Sequence, residues 1–448
     1  MKGIKFIGCF VLFSYLLCFI VSAQQKANDV NAPLHELQPG YAVPYKIPTA
    51  ESIKTVMDKI YFYLDSVTPP QFINKLTGQT LTDPALVDTN TTFKPGDFRL
   101  TSYEWGVTYS AMLNVFKSTG DDKFLNYTKK RFEIIGEYAN AYKSLYQKTP
   151  LASNPLRQVI NPKALDDAGA ICAAMIRLQS IDKIANLLPL INNYINYIST
   201  KQYRLSDGTL ARNRPQKNTL WLDDLYMSVP ALAQMGKLTG DKKYYDDAIK
   251  QVLQFSARMY NTNLNIYMHG WVEGMQDHFE FHWARANGWA ILAMTELLNV
   301  LPENYKGRDK ILYQLQLHIK GLAPLQSGEG FWHQLLDRND SYLETSATAI
   351  YAYCMANAIN KGWIDAKAYA PACLLAWNAI TTKVNETGQV EGTCVGTGMA
   401  FDPAFYYYRP TSNFAAHGYG PVLLAGAEII ELLRKYSFTI SDSSIQIQ

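Results

Sequence analysis

The sequence predicts an all-α protein built as an (α/α)6 toroid in a single domain, and three observations carry that expectation. Apolar residues recur at helical spacing over most of Ser52 to Lys435, while strand-like alternation is scarce. A corner motif repeats, "STGDDKF" at 118–124 and "LTGDKKY" at 238–244, two units of about 60 residues apart. Six polar or aromatic helix starts recur between and beyond these corners.

Taken in order, the chain begins with Lys2 and Lys5, an apolar run from Phe6 to Val21, and the small residues Ser22 and Ala23. That is the pattern of a secretory signal peptide cleaved after Ala23. An uncleaved anchor is the alternative, although the run falls short of the roughly 20 residues of a spanning helix. Cys18 lies inside the apolar run rather than closing it, which argues against a lipid-modified cysteine. Residues 24–44 are expected as an N-terminal arm, 45–437 as the barrel and 438–448 as a frayed tail.

Removing 23 of the 448 residues leaves 425, within reach of one large helical ring or of two to three domains. Of 42 basic residues, 40 remain without Lys2 and Lys5, against 39 acidic ones. No global field favours nucleic acid or a membrane surface, so an anionic ligand must be recognised locally. Cys172, Cys354, Cys373 and Cys394 are widely spaced, unlike a zinc site or a disulfide framework, and are expected as buried thiols. A secreted protein is the expected setting.

In each corner the glycine can end a helix in the left-handed conformation, and the following aspartate can start the next. The six starts are "YEWG" at Tyr103, "LDDAG" at Leu165, "LDDLY" at Leu222, "WARAN" at Trp283, "YLETS" at Tyr342 and "HGYGP" at His417. Alanine-rich runs such as "AGAICAAMI" follow them and suit inner helices approached on more than one side. Segments such as "DKKYYDDAIKQVLQF" are charged on one face and suit an outer ring. An open solenoid of the same hairpins is the rival arrangement. In a closed ring, parallel inner helices bring all six starts to one mouth, where their partial positive ends favour an anion. Loops 263–282 and 388–410 precede inner starts and are expected to wall that mouth.

At the mouth, two acidic pairs fall one repeat apart, Asp166–Asp167 and Asp223–Asp224. Capping of helix starts is the plain reading. Repetition beside Trp221 and Tyr226 favours a chemical role for one residue of each pair, and helical phasing does not say which. Trp105, Trp221, His269, Trp283, Arg285, Trp289 and His417 are the candidate substrate-binding residues. Arg285, four before Trp289, has the geometry to clamp a carboxylate between aromatic planes, or else to pair with a neighbouring acid. No His-Glu-x-x-His, phosphate-loop or Gly-x-Ser-x-Gly pattern occurs, and no metal or cofactor is expected.

The blocks "TLWLDDLYMSVPALAQ", "WARANGWAILAMTELL", "YLETSATAIYAYCM", "FAAHGYGPVLLAGAEI" and "LDDAGA" resemble the unsaturated glycuronyl hydrolases of glycoside hydrolase families 88 and 105, family 105 most. The resemblance runs from about Trp105 to Glu428. It implies an (α/α)6 barrel that removes a terminal 4-deoxy-4,5-unsaturated uronic acid from lyase-generated oligosaccharides, with pectin rhamnogalacturonan favoured. Together with the missing lipid site, it also implies a bacterial periplasm as the setting. It implies Asp223 as general acid/base, Asp167 as the second acidic residue, and His269, Trp283, Arg285 and Trp289 along the sugar pocket. The implied route protonates C4 of the vinyl ether and adds water at C5. Such a route needs an acid protonated near neutral pH, and Trp221, Tyr226 and Asp167 are expected to raise the pKa of Asp223. A non-catalytic oligosaccharide-binding protein, and an (α/α)6 lyase or inverting glycosidase, remain as alternatives.

Overall fold

The computed structural model describes Val30 and residues 43–148, 154–441 and 444–448. The expected signal peptide lies outside the described residues, as does the expected arm apart from Val30, Val43 and Pro44. Pro44–Gln448 forms one compact unit. Among the described residues no helix is long and apolar enough to cross a membrane.

Within that unit the chain runs through α1 (Ala50–Val67), α2 (Tyr103–Thr119), α3 (Asp122–Lys148), the single turn α4 (Arg157–Ile160), α5 (Leu165–Ile181) and α6 (Leu187–Asn196). It continues through α7 (Val229–Thr239), α8 (Lys242–Met259), α9 (Ala284–Leu298), α10 (Arg308–Leu322), α11 (Thr345–Asn360), α12 (Ala366–Thr381), the short α13 (Pro403–Tyr407) and α14 (Tyr419–Lys435). Helices α2, α5, α7, α9, α11 and α14 pack each on the next, and α14 returns to α2. This closes an inner ring and excludes the open solenoid. Outside it, α3, α6, α8, α10 and α12 each cover the inner helix before them, and α1 covers α14. The sixth hairpin is thus made from the two ends of the barrel chain.

Small residues decide which helices lie inside. Gly106 of α2 abuts the α5 backbone, where a Cβ would come within 2.4 Å of the Ala170 carbonyl carbon. Every residue of α11 is buried, so that helix has no solvent face to mark by charge. The corner motifs behave as their residues dictate. Gly120 and Gly240 end α2 and α7 at φ 70° and 73°, and Asp241 caps α8 through the Lys243 amide.

Two expectations need correction. The "LDDLY" segment does not begin the third inner helix: Leu222–Leu225 is a separate 3-10 turn, and α7 starts at Val229. Pro230 explains the later start, since a proline fits the first helical turn, where its missing N–H leaves no bond unmade. Residues 438–448 are also not a frayed tail. Phe438–Ser441 and Ser444–Ile447 pair as an antiparallel hairpin that buries Ile445 and packs on α12.

One buried histidine couples the outer ring to the mouth. His318 of α10 lies 3.1 Å from Asn287 Oδ1, and Asn287 in turn binds the Tyr267 amide and the Tyr267 and Trp283 carbonyls just below His269 and α9. Burial pushes the His318 imidazole down to about 3. The unfolded chain takes up this proton near pH 6.5 and the folded chain does not, so the stabilising effect is complete above that pH and lost as pH falls toward 3. Stability should fall by about 1.4 kcal/mol per pH unit through this window on account of His318. Denaturant titrations of His318→Gln against pH should show a correspondingly shallower slope.

Candidate active site

A two-stranded ladder sets the site. Thr219–Trp221 pairs antiparallel with Gly270–Val272, with Trp221 opposite Gly270, and the Leu222 amide donates to the His269 carbonyl at 3.0 Å. The register places His269 beside the 3-10 turn, and its Nε2 lies 2.9 Å from Asp223 Oδ2.

Hydrogen bonds hold the His269 ring on both sides. The Tyr406 hydroxyl of α13 lies 2.8 Å from Nδ1 and 3.1 Å from the Ala400 carbonyl, and accepts from the Ala400 amide at 3.3 Å. On the other side Nε2 and Asp223 Oδ2 share a hydrogen bond, so a proton lies between them. Burial presses the Asp223 carboxyl upward, but the charge and hydrogen bond of His269, and then Arg212, outweigh it. The net shift is below the ordinary carboxylate range, contrary to the expectation of a raised pKa. Trp221, Tyr226 and Asp167 do not reverse this, because the nearest charges to Asp223 are positive.

Asp224 has a different task. Its fully buried carboxylate takes Arg212 Nε at 2.9 Å and the same guanidinium's Nη2 at 2.6 Å, while Arg212 also donates to both oxygens of Asp166 at 2.8 and 2.9 Å. Burial alone favours neutral forms for both Asp224 and Arg212. The two forks of donors aimed at two carboxylates keep this cluster charged, and the Arg212 pKa is raised above its ordinary value. Arg212 thereby ties α5 to the Asp223 turn. Trp221 packs against it, with the guanidinium carbons of Arg212 and Arg214 at 4.4 and 4.7 Å from its ring centre.

Several sequence candidates are displaced from the reacting centre. Asp167 does not face Asp223: its oxygens accept from Arg157, Gln158 and the Lys163 amide at 2.7 to 3.3 Å, which anchors α4 and the following loop to α5. Asp166 is the member of that pair joined to the Asp223 turn. Arg285 is fully buried and donates at 2.7 Å to both the Cys394 and Val395 carbonyls, so it pins loop 392–398. Trp289 stacks on Tyr226 at 5.1 Å and Trp105 on Phe98 at 4.7 Å, both inside the core. Trp283 is buried too and braces His269 at 4.8 Å. His417 sits under the mouth, 2.6 Å from the Tyr103 hydroxyl, and burial followed by the Arg285 charge holds its imidazole well below the usual range.

Above these groups opens a cavity of about 490 Å³, with Tyr103, Glu104, Arg157, Asp166 and Arg214 on its walls. Tyr103, on this wall, feels the charges of both Asp166 and Asp223. Arg214 is 60% exposed and, besides its place over Trp221, pairs at 3.3 Å with Asp166. Arg212, Arg214 and Tyr406 were missed because they lie in segments without helical periodicity; "ARNRP" just before the LDD ladder was the available signal.

Comparison with known proteins adds an independent line. The model of Glycosyl Hydrolase Family 88 matches residues 73–433, most of the chain. The chain belongs to that family. It is accordingly a glycoside hydrolase, with a carbohydrate substrate. The unsaturated rhamnogalacturonyl hydrolase YesR of Bacillus subtilis is 27% identical over 53% of this family 88 chain and 69% of its own length. An unsaturated 3S-rhamnoglycuronyl hydrolase of Alteromonas sp. is also 27% identical, over 47% of the chain and 51% of its own length. A solved structure from Klebsiella pneumoniae, described as a possible member of the GH105 family, superposes with a TM-score of 0.68 at 23% identity, covering 89% of this chain and 97% of that one. Its likeness establishes the shared fold.

Proposed function

We propose that this family 88 enzyme removes the terminal 4-deoxy-4,5-unsaturated uronic acid from lyase-generated oligosaccharides, rhamnogalacturonan fragments among them, with Asp223 as general acid/base. The observation that carries the reading is the 2.9 Å hydrogen bond between His269 Nε2 and Asp223. An arriving uronate brings a negative charge beside Asp223, which raises the pKa of that carboxyl so that it takes up a proton. Asp223 then delivers the proton to C4. The C4=C5 electrons form the new C–H bond, and the ring oxygen stabilises the cation at C5. Water adds at C5 and returns one proton to the Asp223–His269 pair. The hemiketal opens, and the hemiacetal left at C1 expels the remaining oligosaccharide, for a net uptake of one water. Arg214, exposed above Trp221, holds the uronate carboxylate, and Asp166 and Arg212 fix the turn that carries the acid. Residues 1–23 act as a signal for export, to a bacterial periplasm.

Ultraviolet absorbance of the double bond tests the reading. Purified protein added to lyase digests of rhamnogalacturonan, ulvan and glycosaminoglycans should bleach at least one of them, and a rise in absorbance would instead identify a lyase. Tyr406→Phe tests the support of this pair. Without the hydroxyl, His269 loses the contact at Nδ1 that orients the ring toward Asp223. The kcat at neutral pH should fall about tenfold with KM little changed. An unchanged kcat would mean that Tyr406 serves only to hold the loop.

A further inference from the structure

A second cavity of about 400 Å³ joins the first, and Arg99, Arg157 and Gln158 belong to the walls of both. Its chemistry is one-sided. Lys94, Arg99 and Arg157 line it, and among the described residues no aspartate or glutamate does. Arg157 is committed to Asp167, but Lys94 and Arg99 are exposed and have no carboxylate within 4 Å among the described residues. The rest of the wall suits a sugar. Phe93 and Phe98 are half-buried, held by stacking on Phe72 and Trp105 at 4.2 and 4.7 Å, and Thr92, Thr101 and Asn154 supply polar groups beside them. A neutral sugar gives two exposed cations in such a lobe nothing to balance, whereas an anionic one does.

We propose that this second lobe binds an anionic substituent, a carboxylate or a sulfate ester, on a sugar of the reducing-end side of the substrate, with Lys94 and Arg99 as its contacts. The inference rests on the reading of the first cavity as the seat of the terminal unsaturated uronate, because an oligosaccharide leaving that seat across Arg99 enters the second lobe. The substrate is then a polyanion, recognised at its end by Arg214 and farther along by Lys94 and Arg99.

Calorimetric binding to the full chain carrying Asp223→Asn tests this without turnover. Two substrate pairs serve as probes: an unsaturated rhamnogalacturonan tetrasaccharide, which has a second carboxylate, against the disaccharide, which has none; and a sulfated unsaturated ulvan disaccharide against its desulfated form. The expected result is an affinity about tenfold higher for the doubly anionic member of at least one pair, falling to within about twofold when Lys94→Ala and Arg99→Ala are added. Raising the ionic strength should erode the same preference. The tetrasaccharide pair alone would identify a carboxylate as the natural group, and the ulvan pair alone a sulfate ester. Equal affinities within both pairs, a preference untouched by the two substitutions, or no binding to any probe would overturn the proposal. An anion preference in a wild-type protein that bleaches none of these substrates would instead sink the hydrolase reading and leave the second lobe standing.

Discussion

Asp223→Asn is expected to lower kcat by about a thousandfold while leaving the melting temperature nearly unchanged. Asparagine keeps the size of the side chain and its place beside His269 Nε2, 2.9 Å away, but it neither carries the transferable proton nor takes one from water. The variant should still bind oligosaccharide, because Arg214 and the cavity walls remain. This separates the enzyme from a binding protein on the same scaffold, in which the substitution would cost nothing that matters. Double-bond absorbance measures the first quantity and thermal melting the second. Asp224→Asn should behave in the opposite sense, losing stability first, because its carboxylate is spent on Arg212 inside the protein.

Arg212→Met should produce the largest loss of stability, about 3 to 5 kcal/mol. The substitution leaves Asp224, which has no solvent contact, without its counter-charge, and it cuts the link to Asp166 on α5. Lysine should rescue little, since an ammonium supplies one point of charge where two forks of donors are used. Urea titration would give the loss in stability. Activity should decline with it even under conditions where the variant is folded, because the 3-10 turn bearing Asp223 is held in place by the neighbouring Asp224.

The ring was legible because it is written in repetition. Glycine corners at 120 and 240 and alanine-rich runs such as 168–176 leave few ways to pack other than a closed double layer of hairpins. The site was legible to the extent that it lies on those repeats. Asp223 and His269 were identified and do meet, and the family resemblance agrees with the matched family model. The remaining errors share a cause. A helical phase angle separates Asp166 from Asp167, yet only the α4 turn carrying Arg157 and Gln158 shows that Asp167 is the one tied away from the Asp223 turn. Arg285 looked like a clamp from its spacing to Trp289, but the acceptors that take it, the Cys394 and Val395 carbonyls, lie more than a hundred residues away in a loop without periodicity. Arg212 comes from such a loop as well, and Tyr406 from a five-residue helix set within one, and local pattern gives no information on where such a segment returns. The 3-10 turn at Leu222 reads as a helix start because its paired aspartates precede an apolar run, although no side chain caps it; only Pro230 marks the later beginning of α7.

The measurement that bears most directly on the central claim compares two substrates differing in a single bond. Purified protein should be offered a lyase-generated oligosaccharide ending in the unsaturated uronate and the same oligosaccharide with that residue saturated, with release of the shortened product followed by chromatography. Protonation at C4 by Asp223 requires the double bond, so the unsaturated substrate should be cleaved with loss of absorbance and the saturated one left intact. Cleavage of both at similar rates would mean attack at the anomeric carbon, and would contradict the vinyl-ether route and the role given to the Asp223–His269 proton.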